Sequence, residues 1–304
     1  MSITVVGSVA LDTIETPCGR SERCLGGSAS HFSLSASYFT DVKLVGVVGA
    51  DFPQKHLDLF RSHHIDLTGL QIIPDGKTFF WAGRYDDVNV AQTLETQLNV
   101  FEQFKPALPA TYQNADVLFL ANIHPDLQSH VIAHAGKPGL IALDTMNLWI
   151  NTTRESLERA MAQVDVITIN DGEVKLLTGE NNLPRAVEKL QARGPKTIVV
   201  KRGEYGAVLF HGDQCFSAPA LPVKVVKDPT GAGDTFAGGM MGYLDRQKTF
   251  DFVTLKTAVI CGSVMSSFNV QEFSCERLKN LTTPEIMARF EEFMRLTKFE
   301  RVQW

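Results

Sequence analysis

Cysteine is scarce and unpatterned in this chain. Its five thiols (Cys18, Cys24, Cys215, Cys261, Cys275) are odd in number and never spaced Cys-x-x-Cys. Neither a zinc site nor a disulfide framework is indicated, and a reducing, cytoplasmic setting is expected. No apolar run approaches the roughly 18 residues of a membrane span. Met1-Ser2 passes directly into the apolar Ile3–Val6 with no basic leader, so neither membrane insertion nor export is expected. Positive charge is not in excess: 29 Lys and Arg stand against 34 Asp and Glu, net −5, without a basic patch. A nucleic-acid backbone is therefore not an expected partner. Two phosphate-binding signatures are also missing. The first β-rich run is followed by Gly7-Ser8-Val9-Ala10-Leu11-Asp12 rather than Gly-x-Gly-x-x-Gly, and no Gly-x-x-x-x-Gly-Lys-[Ser/Thr] occurs.

What is present suits a folded enzyme-sized unit. With 304 residues, 44% hydrophobic and 21% charged, the chain predicts one large domain with an appendage. Short β-rich runs at Ile3–Leu11, Val42–Val48, Val117–Ala121, Leu140–Leu143, Val164–Ile169 and Thr197–Val200 alternate with helical patterns, which predicts βαβ units around a parallel sheet. Ala29, Phe32, Ala36 and Phe39 recur at helical spacing, as do Ile286, Phe290 and Phe293, and both stripes read as core. Two β-rich interruptions flank the first helix. They predict a small sheet over one edge, so that 13–24 and 73–100 form a β lid and 1–12, 25–72 and 101–304 form the main α/β domain.

The densest chemistry lies in Asp228-Pro229-Thr230-Gly231-Ala232-Gly233-Asp234, which opens a helical pattern. Small residues ahead of a helix let backbone amides face an anion, and the helix dipole reinforces them. A carboxylate there would repel a phosphate unless it takes a proton from an attacking hydroxyl; Asp234 is read either as that base or as a helix cap.

This segment resembles the C-terminal signature of the ribokinase-like, or PfkB, sugar kinases. The resemblance extends in order through Gly26-Gly27-Ser28-Ala29-Ser30-His31, Asn170-Asp171-Gly172-Glu173 and Lys201-Arg202-Gly203-Glu204-Tyr205-Gly206, so it covers nearly the whole chain. It implies a three-layer α/β sandwich with a central, mainly parallel sheet and a β-sheet lid. The implied activity is transfer of the γ-phosphoryl group of ATP to a primary hydroxyl of a small sugar. Asp234 is implied as base, with Gly231, Ala232 and Gly233 in the anion hole. Asn170 and Glu173 are implied to organise Mg²⁺ through waters. Asp12, Gly26, Gly27 and His31 are placed at the acceptor, and Lys201, Gly203, Gly206 and Asn269 at the nucleotide. Asp228 and Thr230 match positions that hold a monovalent cation in some relatives, and relatives are often dimers joined through lids.

One departure stands out within the resemblance. The family usually carries Asn where this chain has His31, so His31 is read either as an acceptor ligand or as a buried histidine satisfied by the backbone. Asn170 and Glu173 also read as an ordinary strand-to-helix turn. Asp51 is read as near the acceptor or as a cap, and Asp144-Thr145-Met146-Asn147 ends a strand facing the cleft. His130 and His134 lack the Glu of a zinc-protease motif and read as a solvated helix face. Two further functions stay open: a nucleoside kinase, with Phe79-Phe80-Trp81 as a stacking face, and a regulator that binds sugar or nucleotide without turnover.

Overall fold

Ile3, Val5 and Val6 dominate the first strand, and all four of its residues, Thr4 included, are buried, as in a strand covered on both faces. The computed structural model describes residues 2–87, 90–300 and 302. Met1, Arg301, Gln303 and Trp304, assigned above to the main domain, and Val88 and Asn89, assigned to the lid, lie outside the described residues.

In chain order the strands are β1 (Ile3–Val6), β2 (Ala10–Thr16), β3 (Gly19–Gly26), β4 (Val42–Gly49), β5 (Ile65–Ile73), β6 (Phe79–Asp87), β7 (Val90–Gln97), β8 (Val117–Leu120), β9 (Leu140–Asp144), β10 (Val166–Asn170), β11 (Thr197–Lys201), β12 (Ala207–His211) and β13 (Gln214–Ala218). A nine-stranded sheet runs β13-β12-β11-β10-β9-β8-β1-β4-β5. It is parallel from β5 to β11 and antiparallel only at β11-β12 and β12-β13. A four-stranded sheet, β3-β2-β6-β7, stands apart from it.

Helices cover both faces of the large sheet, so the fold is a three-layer α/β sandwich with a central, mainly parallel sheet. One core gathers Phe32 of helix Ser28–Ala36, Met240 of Ala232–Gln247, Val264 of Phe252–Asn269 and Phe293 of Thr283–Thr297. Phe32 stacks on Phe119 of β8 with ring centroids 4.2 Å apart. The other core joins Val131, Leu157, Val174 and Leu190 from four helices on the opposite face.

The run read as Ile3–Leu11 is two strands. After β1 the chain leaves the large sheet and enters β2 of the small one. Gly7 sits at the crossing because a Cβ there would lie 2.7 Å from Ala121 Cβ. The helical stripe also stops early: the helix ends at Ala36, before Phe39. The strands β5, β12 and β13 were not anticipated: β5 and β13 carry exposed polar positions that break a continuous apolar run, and β12 is only five residues long. The crossover topology brings Asp144, Asn170 and Lys201 to the C-terminal ends of β9, β10 and β11, where crevices of open parallel sheets receive ligands.

Candidate active site

Gly231 opens the helix Ala232–Gln247 in a left-handed conformation (φ 71°), which favours glycine. An added Cβ would also lie 2.3 Å from the His31 ring. The Ala232 amide donates to Pro229 O at 3.2 Å, and Thr235 donates to Gly231 O at 2.8 Å. Of the expected anion-hole residues, Ala232 therefore has its amide committed to the turn. The amides of Gly231, Gly233 and Asp234 have no backbone partner among the described residues. The cap reading of Asp234 is corrected: Gly231 is the N-cap, and Asp234 lies inside the first turn. Its half-buried carboxyl is pushed up to about 7 by burial and by Asp144, against the pull of Lys201.

Asp144 and Lys201 form the charged floor beneath this turn. Lys201 Nζ donates to Asp144 Oδ2 at 2.6 Å. Thr168 Oγ1 donates to the same oxygen at 2.8 Å, and the Thr145 amide donates to Oδ1 at 2.7 Å. Burial opposes the Lys201 charge, but Asp144, Glu173 and Asp234 outweigh it and hold the ammonium above its ordinary value. A Cβ on Gly233 would lie 3.1 Å from Lys201 Nζ, so the glycine lets the ammonium lie close under the turn.

Asn170 and Glu173 form a reciprocal capping box at the helix Asp171–Thr178. The Glu173 amide donates to Asn170 Oδ1 at 2.8 Å, and the Asn170 amide donates to Glu173 Oε2 at 2.9 Å. The strand-to-helix turn is therefore real, and it also carries a buried carboxyl into the cleft. Burial pushes Glu173 up to about 7, with Lys201 opposing and Asp144 adding to the rise.

Across the cleft, Gly26 and Gly27 make room for Asp12 and for the chain crossing. A Cβ on Gly26 would lie 2.0 Å from Asp12 Oδ2, and one on Gly27 (φ +90°) would lie 2.5 Å from Ser8 O. Asp12 is 4% exposed. Burial, together with Asp228 and Asp234, pushes it up to about 8, with the Gly27 amide opposing. In the free protein this environment favours the protonated carboxyl. Asp228 accepts from the Thr230 amide at 2.8 Å and from the Ser274 amide at 2.7 Å, one on each oxygen. It anchors the loop that leads to the anion site.

Two residues expected at the ligands are buried and bonded to protein groups. His31 is 1% exposed, with Nδ1 3.1 Å from Asn269 Oδ1. Its Nε2 has no partner among the described residues, and burial lowers the ring to about 4. Its ring packs against Gly231. Asn269, expected at the nucleotide, is fully buried. It accepts from Thr235 Oγ1 at 3.1 Å and donates to Thr230 O at 2.8 Å. Together the two residues brace the anion loop from behind.

Gly203 and Gly206 flank an exposed single turn, Gly203–Tyr205, just past Lys201. Gly206 is needed locally, because a Cβ there would lie 2.1 Å from Ala218 O. Asp51 caps no helix; it holds Arg23 at 2.9 Å and the Thr78 amide at 2.7 Å, tying the small sheet to the end of β4. His130 and His134 lie on the exposed part of helix Pro125–His134. Among the described residues no group of three or more His, Cys, Asp and Glu is placed to hold a metal ion.

Tyr85 went unnoticed in the sequence. On β6 of the small sheet, its hydroxyl accepts from Thr230 Oγ1 at 3.2 Å. Burial raises it to about 12, with Asp228, Asp12 and Asp234 adding to the rise. Thr16 of β2 also donates to Lys227 O at 2.8 Å. The small sheet therefore touches the anion loop directly. The available signal was β alternation, which leaves open what an inward tyrosine meets.

A family profile described as pfkB family carbohydrate kinase matches residues 3–281. A cytidine kinase from Thermococcus kodakarensis is 30% identical over 258 residues, covering 83% of this chain and 91% of that protein. A ribokinase from Lactococcus lactis is 24% identical over 291 residues, covering 90% of this chain and 92% of that protein. The nucleoside kinase of Burkholderia thailandensis in complex with inosine shares the fold, with TM-score 0.80, 21% identity and coverage of 96% of this chain and 99% of that one.

Proposed function

The chain belongs to the pfkB family of carbohydrate kinases, phosphotransferases that act on hydroxyl groups, and from that premise we propose an ATP-dependent kinase whose acceptor is the primary hydroxyl of a nucleoside. The observation that carries the nucleoside is the likeness to a cytidine kinase along most of both chains. A free sugar, the first expectation, is the second reading. It is favoured by the comparably long but weaker match to a ribokinase.

In this reading Asp234 takes the proton of the attacking hydroxyl. Its value of about 7 suits a base working near neutral pH. The amides of Gly231, Gly233 and Asp234, the helix N-terminus and the Lys201 ammonium stabilise charge on the transferring phosphoryl group. Asp12 holds the acceptor hydroxyls, with Gly26 and Gly27 keeping the backbone close. The exposed turn at Gly203 and Gly206 borders the nucleotide. The small sheet, 13–24 and 73–100, is the lid, and closure with Tyr85 on Thr230 excludes competing water.

Magnesium fits the charge of this site. Asp144, Glu173 and Asp234 bear on one ammonium, Lys201, which leaves carboxylate charge in excess. The Asn170–Glu173 capping box suits contact through ordered waters. When bound, the ion neutralises phosphate charge. Both oxygens of Asp228 serve backbone amides, so any monovalent cation beside this loop would have to share them.

The test is acceptor-dependent ADP release with cytidine, inosine, ribose and fructose. Nucleosides are expected to lead in kcat/KM by at least about tenfold, a margin of ~1.4 kcal/mol. Ribose in the lead would overturn the nucleoside reading, and no release with any acceptor would favour the binding-only regulator.

A further inference from the structure

The loops after β8 and β9 bring together four side chains that phosphoryl transfer does not use. Trp149, in the short helix Asn147–Thr152, donates Nε1–H to Asn122 Oδ1 at 2.8 Å. Asn122 Nδ2 donates to Met146 Sδ at 3.0 Å. His124 meets the indole edge-on, with ring centroids 5.2 Å apart. All four are half-buried, so the group is neither interior packing nor fully solvated surface.

Its position is set by neighbouring parallel strands. Asp144, two residues before Met146, is the partner of Lys201 and bears electrostatically on Asp234. Ala121, just before Asn122, donates its amide to Val6 O at 2.9 Å and lies against Gly7, where the chain departs toward Asp12. The group thus stands at the sheet edge between the strand ends that supply the base's charged neighbours and those that supply Asp12.

Its chemistry is that of a flat, polarisable face with a polar border. A tryptophan leaves its N–H bonded while offering an apolar face, and the bond to Asn122 sets the indole's orientation. A methionine sulfur adds a soft, adaptable surface. His124 Nδ1 accepts from the Asp126 amide at 3.2 Å, which leaves Nε2–H as a donor. A nucleobase has a π-face that stacks on aromatic side chains largely regardless of sequence, together with hydrogen-bonding groups along its edge; a free sugar has no π-face.

We propose that Trp149, Met146, Asn122 and His124 form the subsite for the acceptor's nucleobase, with Trp149 as its stacking face and His124 at its edge. This inference rests on the nucleoside reading above and names the feature that separates a nucleoside from a free sugar.

The experiment pairs kinetics with fluorescence in the full-length enzyme. Trp149→Ala is expected to raise the KM for cytidine and inosine roughly tenfold, within the range that base stacking on an aromatic side chain supports. The ratio of nucleoside to ribose kcat/KM should fall by a similar factor. Trp149→Phe, which keeps a face but not the indole, should retain most of that ratio. Cytidine added without ATP should change the emission that distinguishes wild type from Trp149→Phe, whereas ribose should not. Nucleoside phosphorylation with an unmoved ratio in Trp149→Ala and an unmoved indole signal would overturn the subsite while leaving the nucleoside reading intact. Ribose phosphorylated without any nucleoside would overturn the reading and the subsite together. A role confined to packing predicts a lowered Tm in Trp149→Ala with the ratio intact, which also overturns the subsite.

Discussion

The two sides of the cleft handle buried charge in opposite ways. On one side Asp144 and Glu173 share the ammonium of Lys201, which is itself held protonated by them. On the other, Asp12 and Asp228 are buried, and the groups that raise Asp12 after burial itself are carboxyls, Asp228 and Asp234. The Lys201 side keeps its ammonium charged in the free protein. On the Asp12 side burial and the neighbouring carboxyls favour the protonated carboxyl. Asp234 lies between them and feels both, through Lys201 and Asp144 in its own balance and through its effect on Asp12. Charge retained on one side and charge deferred on the other is what a site needs if it must hold an anion and deprotonate an alcohol within a few ångströms.

The sharpest way to break this division is at its centre. Asp234→Asn should lower kcat by about 10²- to 10⁴-fold, the usual loss on removing a positioned base, while ATP still binds. Because the ionised form is the base, the wild-type kcat/KM should rise with pH through about 7. Steady-state rates across pH 5–9 check both expectations, and a near-normal kcat in the variant would remove Asp234 from the chemistry.

Next comes the paired side. Lys201→Met strands the Asp144 carboxylate, 5% exposed in its side chain, and should cost about 3 kcal/mol of stability. Adding Asp144→Asn should restore much of it without restoring ATP affinity. Chemical denaturation and nucleotide titration of the two proteins separate the contributions.

The unpaired side should respond with the opposite sign. Asp12→Asn should weaken the acceptor by about 10-fold or more, since a hydrogen bond to a charged group contributes about 1.5–3 kcal/mol, yet it should stabilise the free protein at alkaline pH. Native Asp12 keeps its proton up to about 8, against 3.8 for an ordinary aspartate. Its contribution to stability is therefore complete below 3.8 and is lost as pH rises through about 8. Tm measured from pH 5 to 9 should fall less steeply in the variant; parallel curves would mean that Asp12 does not carry this slope.

The smallest effect is expected behind the loop. His31→Asn should lower stability by about 1–2 kcal/mol and leave the ranking of acceptors unchanged. With a native value near 4, below the ordinary 6.5, His31 favours unfolding as pH falls from 6.5 toward 4. The variant should lose that part of the acid sensitivity. An altered acceptor ranking would return His31 to the acceptor contacts.

Much of the site was legible because its parts are local. Gly231 stands among small residues ahead of a helix, where the structure has a left-handed turn, and Asn170 with Glu173 read as a strand-to-helix turn, which the structure closes as a capping box. Both are written in residues three positions apart or fewer, where backbone geometry alone brings the groups together. The alternation of β-rich and helical runs likewise predicted the parallel sheet, since each period states which face is buried. The roles of His31 and Asn269 were not legible, because they meet across 238 positions. A position in a motif says that a side chain is near a site, but not whether its ring faces the ligand or the back of the loop.

By itself, then, the sequence determined the layer architecture, the glycine-rich turn that opens a helix and the family, all of which follow from short-range patterns and their order. Tertiary packing alone decided that Lys201 pairs with Asp144 across 57 positions, that Tyr85 reaches Thr230 from another sheet across 145, and that His31 serves the loop. The physical reason is that burial and side-chain pairing depend on which surfaces close on one another, and no local period carries that information.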